Sequence, residues 1–237
     1  MRKAWLLVIA IAVVAGPSKA SAAELNLTGM GLQDIVNINS TLPGFQSGAY
    51  YAGQFLWDFT PPTPDGLSSS IVTYCVDILH DVQNPQQVVI DSTDNMVTTA
   101  QDGGGKAAWL LDTFAAGVTT GIEAAALQVA IWESIYDNDH DVTSGIFSIV
   151  TDGTAYTGAY EAQLIAAQAN AYLNQLFYGA NGEYHTATAV WLDAITPSGS
   201  GQSQITAVPE PSSLMLLGLG VTGVAAARRR RIVAPRN

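Results

Sequence analysis

Between residues 24 and 100 short apolar runs alternate with turn residues, a pattern that predicts strands. Residues 49–57 (AYYAGQFLW) form one such run, and residues 61–66 (PPTPDG) have the composition of a loop. Residues 71–79 alternate with period two. Val72, Tyr74, Val76 and Ile78 fall on one face, and Thr73, Cys75 and Asp77 on the other, which places Cys75 on the more polar side of its strand. Residues 87–90 predict a further short strand. The pattern then changes at Gly103, Gly104 and Gly105, read as a hinge that opens a helical region.

Three helices are predicted: residues 106–116, a second from Thr120 to about Tyr136, and a third over 160–177. Thr120 and Glu123 have the spacing of a capping box, in which a side-chain oxygen and a carboxylate each satisfy an orphan N–H of the first turn. On the second helix Gln128, Ile131, Trp132 and Ile135 share a face, so Gln128 sides with a core aromatic. Strand character returns at 186–193. Residues 195–207, rich in Ser, Gly and Gln, read as a flexible linker. The sum is an α+β fold, strands first, with a helical block inserted before a closing strand.

The two ends are of a different kind. Arg2 and Lys3, an apolar run over 4–15 and Ala20-Ser21-Ala22 make a secretory signal of residues 1–22. At the other end Pro209-Glu210-Pro211 leads into an apolar stretch of about 212–227 and then Arg228, Arg229, Arg230 and Arg231. This tail, residues 208–237 with a basic end at 228–237, resembles the PEP-CTERM sorting signal of Gram-negative bacteria that make extracellular polysaccharide. The resemblance implies processing by an exosortase near Pro209-Glu210-Pro211. An apolar stretch of that length reaches about 24 Å as a helix, somewhat short of a bilayer core of roughly 30 Å. The arginines favour a cytoplasmic end, which leaves the domain in the periplasm. The expected course is export, transient anchoring in the inner membrane by a C-terminal transmembrane helix, then the cell surface or an extracellular matrix such as a biofilm.

Charge sharpens this partition. The chain carries −11 overall, but nearly all its basic residues lie in the two ends. Between residues 23 and 208 Lys106 stands alone against 19 carboxylates, a net −18. Such a surface excludes nucleic acid and anionic membrane as partners, since both need basic patches. It favours solubility, and it leaves few amines within the domain itself.

Cys75 is the single cysteine of an exported chain, where an unpaired thiol is exposed to oxidation unless it is buried or consumed. Tyr74-Cys75-Val76-Asp77 on a strand, followed by Leu127-Gln128-Val129-Ala130-Ile131-Trp132 on a helix, resembles the thioester domains of bacterial surface adhesins. The resemblance assigns residues 23–194 to such a domain, with a β-sandwich-like core and a helical insertion. It implies an internal thioester between Cys75 and Gln128. Asp77, on the cysteine's strand face, is the candidate assistant in proton transfer, and His80, of the opposite parity, a weaker one. The implied chemistry is a single-turnover cross-link to an amine or hydroxyl on a surface or matrix, not enzymatic turnover, and needs no cofactor. Those adhesins carry Gram-positive anchors, so their targets do not transfer to this chain. Residue types alone leave two alternatives: a noncovalent structural or exopolysaccharide-associated matrix protein with an inert buried cysteine, and, more distantly, a thiol hydrolase.

Other motifs are weaker. Asp137, Asp139 and Asp141 have the D-x-D-x-D spacing of a calcium loop, but Val142 replaces the glycine at its sixth position and Ser148 the bidentate Glu at its twelfth. His80, His140 and His185 do not have zinc-ligand spacing with Cys75. No phosphate-binding glycine loop is present, and none of the local signatures of Cys-His hydrolases.

Overall fold

The computed structural model describes residues 21–179, 188–195 and 201–208. It is a sheet-rich α+β domain of seven antiparallel strands and three α-helices. The strands are β1 (Ser21–Ser40), β2 (Gly48–Phe59), β3 (Ser70–Cys75), β4 (Gln86–Ser92), β5 (Phe147–Ile149), β6 (Val190–Ala194) and β7 (Gln204–Thr206). The helices α1 (Gly103–Phe114), α2 (Gly121–Tyr136) and α3 (Ala159–Gly179) lie between β4 and β6, with β5 separating α2 from α3. The inserted helical block is therefore present.

The expected β-sandwich-like core is instead a single sheet that closes on itself. Its order is β2-β3-β7-β6-β4-β1-β5, and β1 also pairs with β2, so six strands form a ring with β5 attached to the far end of β1. Closure depends on the length of β1. One edge pairs with β2 from Leu25 to Ile38, while the other pairs with β4 over its first residues and with β5 over its last. A long strand serving three neighbours removes sheet edges that would otherwise need protection. Register slips between Leu27 and Gly29 and between Met30 and Gln33 bend it. At the second slip Gly53 has φ +141, and a Cβ there would lie 2.4 Å from the Leu32 carbonyl oxygen, so the bulge requires glycine.

Two expectations need correction. Residues 195–207 are not wholly a linker, because Gln204, Ile205 and Thr206 form β7, buried between β3 and β6. A three-residue strand is too short to display periodicity, and its two polar members are there to satisfy buried partners. Nor do the three glycines act as a hinge. They form the first turn of α1, where a Cβ on Gly104 would lie 1.9 Å from the Thr93 carbonyl oxygen, so glycine permits the helix to seat against the preceding turn. Residues 1–20 of the expected signal and the expected transmembrane stretch at 212–227 lie outside the described residues. Among the described residues no helix is long and apolar enough to cross a membrane.

The core joins the inner face of the sheet to the helical block. Trp57, Leu25, Ile38, Leu127, Ile131, Phe147, Ile165 and Leu173 are all fully buried, each worth about 1.5–3 kcal/mol relative to exposure. Helix α2 packs against β1, β2 and β3 on one side and α1 and α3 on the other, and from Ala124 to Tyr136 every residue is buried. Its start is fixed as the sequence predicts. Thr120 Oγ1 accepts from Glu123 N at 3.2 Å, and Glu123 Oε2 accepts from Thr120 N at 3.0 Å.

Candidate functional site

A run of small residues (Ala124, Ala125, Ala126, Ala130) lets α2 approach its neighbours closely, and the larger side chains at 128, 132 and 136 recur every four residues on one face. All three meet the segment that leaves β3. Gln128 Oε1 accepts from the Cys75 N–H at 2.8 Å, and Gln128 Nε2 donates to the Cys75 carbonyl at 2.7 Å. Two turns on, the Tyr136 hydroxyl donates to the Val76 carbonyl at 3.1 Å and accepts from Ile78 N at 3.3 Å. Trp132 lies between them on the helix.

Gln128 acts as a missing strand partner. The β2–β3 ladder ends at Gln54 and Tyr74, so Cys75 has lost its β2 neighbour while still pairing with Gln204 of β7 on its other side. A carboxamide presents a carbonyl acceptor and N–H donors side by side, and here one of each satisfies both main-chain groups of Cys75. Gln128 is itself wholly buried. The carboxamide is thereby held in one orientation against the residue that carries the thiol, 53 positions away in sequence.

The thiol lies on the inside of the sheet. Thr73 and Cys75 are both buried, so the face that sequence alternation marks as more polar points into the core. Its polar members are paired there: Trp57 Nε1 donates to Thr73 Oγ1 at 3.1 Å, and Thr73 Oγ1 donates to Gln204 Oε1 at 2.9 Å. Cys75 Sγ donates to the Asp77 carbonyl at 3.1 Å and accepts from Asp77 N at 3.3 Å. Burial pushes the thiol well above its ordinary range. The Asp77 main chain and the Trp132 side chain pull the other way, and the Asp77 charge adds to the rise. The Trp132 indole N–H has no full hydrogen bond.

The Asp77 carboxylate is bonded to other partners. Its Oδ1 accepts from Leu79 N at 2.9 Å and its Oδ2 lies 2.6 Å from His80 Nδ1. The expected assistant thus touches the thiol through its main chain, and its acid pairs with His80. A cleft of about 340 Å³ opens beside these groups, lined by Cys75, Trp132, His80, Phe55, Tyr50 and Tyr51 among others. Sequence reasoning had no signal for Tyr50, Tyr51 and Phe55, which come from β2, the strand beside β3.

The D-x-D-x-D residues separate. Asp141 Oδ1 accepts from Thr143 N and Thr143 Oγ1 and from Asn170 Nδ2 at 3.0 Å, which ties the loop to α3. Asp137 and Asp139 instead gather with Glu133, the last-turn residue of α2 that sequence spacing passed over.

Against known proteins, residues 207–231 match the PEP-CTERM protein-sorting motif. No curated protein and no solved structure matches the chain. The matched segment contains Pro209, Glu210, Pro211 and all four arginines, and it marks an exported protein, sorted by an exosortase through a membrane-associated C-terminal signal.

Proposed function

We propose that this exported protein attaches covalently to a surface or matrix through a thioester between Cys75 and Gln128. The observation that carries the reading is the bidentate seating of the Gln128 carboxamide on Cys75, buried beside an open cleft. In forming the bond, Cys75 Sγ attacks Gln128 Cδ and the Cδ–Nε2 bond breaks. The thiol proton passes to the leaving nitrogen, and ammonia departs. Burial disfavours the free thiolate, so the drive must come from fixed proximity, which in well-oriented systems reaches effective molarities of about 10⁵–10⁸ M. An amine or hydroxyl entering by the cleft would then attack Cδ, take the acyl group and return the thiol. Such an adhesive cross-link is used once per molecule and is not turnover. The C-terminal helix would hold the protein in the inner membrane until the exosortase acts, and the natural nucleophile would lie on a surface or in the extracellular matrix of a Gram-negative cell.

Intact mass tests this directly. The thioester form is about 17 Da lighter than the sequence, the ammonia lost on acylation. That deficit disappears in Cys75→Ala and in Gln128→Ala, and methylamine adds to Gln128 in the wild-type protein. A full calculated mass in freshly exported protein rejects the reading.

A specific observation favours a second reading. Gln128 already satisfies two buried main-chain groups, and the Cys75 thiol is sealed at 1% exposure. The pair would then be structural, and the protein a noncovalent, exopolysaccharide-associated matrix component. Full mass with a thiol that reacts only after unfolding identifies that case.

A further inference from the structure

The end of α2 away from its capping box presents a different problem. Glu133 and Asp137 are one helical turn apart, and Asp139 follows in the next loop. One carboxylate oxygen from each lies within 4.8 Å of the other two. Glu133 is fully buried at 0% exposure, and neither of its oxygens has a hydrogen-bond partner. A buried carboxylate without donors is among the costliest groups a fold can hold. Among the described residues no basic side chain forms an ion pair with any of the three; the one ion pair is His80 with Asp77. Lys106 lies over the Phe177 ring at 5.5 Å, and the charge that acts on it is that of Asp102.

The two aspartates are already oriented by the loop. Asp137 Oδ1 accepts from Asn138 N at 2.7 Å, while its Oδ2 accepts from Ile146 N and from Phe147 N. Asp139 Oδ1 accepts from Asp141 N at 3.1 Å and its Oδ2 from Ser144 Oγ at 2.9 Å. Gly145 passes so close that a Cβ would lie 2.1 Å from Asp137 Oδ2. These bonds leave lone pairs on every carboxylate. Burial, then Asp139 and Asp137, raise the Glu133 carboxyl to about 9, and of its surroundings only the His140 N–H favours the ionised form. What Glu133 lacks is positive charge.

We propose that Glu133, Asp137 and Asp139 form a calcium site that joins the end of α2 to the 137–147 loop. Three hard oxygen donors suit calcium, which takes six to eight oxygens in flexible geometry and completes its shell with water and loop carbonyls. Magnesium demands a smaller, near-ideal octahedron and gives up its water reluctantly. The site is independent of the thioester reading.

The test is calcium titration of the EGTA-stripped full-length chain in mild non-ionic detergent at 0.15 M salt, which screens diffuse attraction to the acidic surface. Calorimetry should show one saturable site, and the unfolding temperature should rise by about 5–10 °C at a hundredfold excess over Kd. Glu133→Gln should weaken binding at least tenfold. Asp139→Asn, at an exposed position that leaves the core untouched, should do the same with an unchanged circular dichroism spectrum. Asp152→Asn, exposed and outside the cluster, should bind as wild type. Wild-type affinity in Asp139→Asn, the absence of a saturable site, or an equal shift from magnesium at the same concentration would each overturn the assignment.

Discussion

One helix carries two buried polar junctions, and they differ in how well they are paired. At Gln128 a neutral side chain meets two main-chain groups at 2.7 and 2.8 Å, its oxygen accepting from one and its nitrogen donating to the other. Eight residues beyond it the Tyr136 hydroxyl does the same for Val76 and Ile78. On another face of the same helix Glu133 brings a buried acid to two more acids, and only the His140 N–H favours its charge. Burial is the same at both places, so burial does not separate them. The first junction is complete within the protein and costs stability if cut. The second is incomplete within the protein and should gain stability if neutralised, by a cation or by mutation.

Substitutions should break this contrast in opposite directions. The largest effect is expected for Gln128→Ala, which leaves a buried N–H and a buried carbonyl unpaired, a loss of roughly 2–6 kcal/mol visible in thermal or denaturant unfolding. Tyr136→Phe removes one hydroxyl that serves two groups and should cost about 2–3 kcal/mol. It should leave the mass near Cys75 unchanged, which separates packing of the segment from chemistry at the thiol. Glu133→Gln should move the other way in calcium-free protein at neutral pH, stabilising by about 1–2 kcal/mol, because the buried acid no longer has to hold a proton well above its ordinary range. A loss of stability there would mean that Glu133 is already paired and would erase the contrast. Smallest is Thr120→Ala at the N-cap, about 1 kcal/mol, read by the same unfolding curves. It loosens the helix start without touching either junction.

What could be read from the sequence follows the range of the interactions. Helix α2, with its capping box and its 128/132 face, is written in local spacing, and it appears where the pattern places it. The meeting of Cys75 and Gln128 was anticipated only through motif resemblance, and the structure brings the two together by hydrogen bonds to the main chain of Cys75. Closure of the sheet was not legible, because it depends on β1 pairing with both β2 and β4 and on β7, a strand of three residues. The inward turn of the Thr73 and Cys75 face was hidden for a related reason. A polar residue looks like a surface residue until its partner, here Gln204 more than a hundred positions away, is known. For the acids, the D-x-D-x-D pattern drew attention to Asp141, while the i, i+4 relation of Glu133 to Asp137 was the better signal of proximity.

The place of β7 also bears on the order of events during export. This strand fills the gap between β3 and β6, and its last residue directly precedes the sorting segment at 207–231. Until residue 206 has emerged on the far side of the membrane, the ring stays open with two unpaired edges, and Cys75 lacks its Gln204 neighbour. Maturation of the domain and arrival of its sorting tail are therefore nearly simultaneous. A chain stalled or clipped a few residues early would present an adhesive sheet edge in a crowded compartment, whereas a complete one closes that edge as the tail comes within reach of the exosortase.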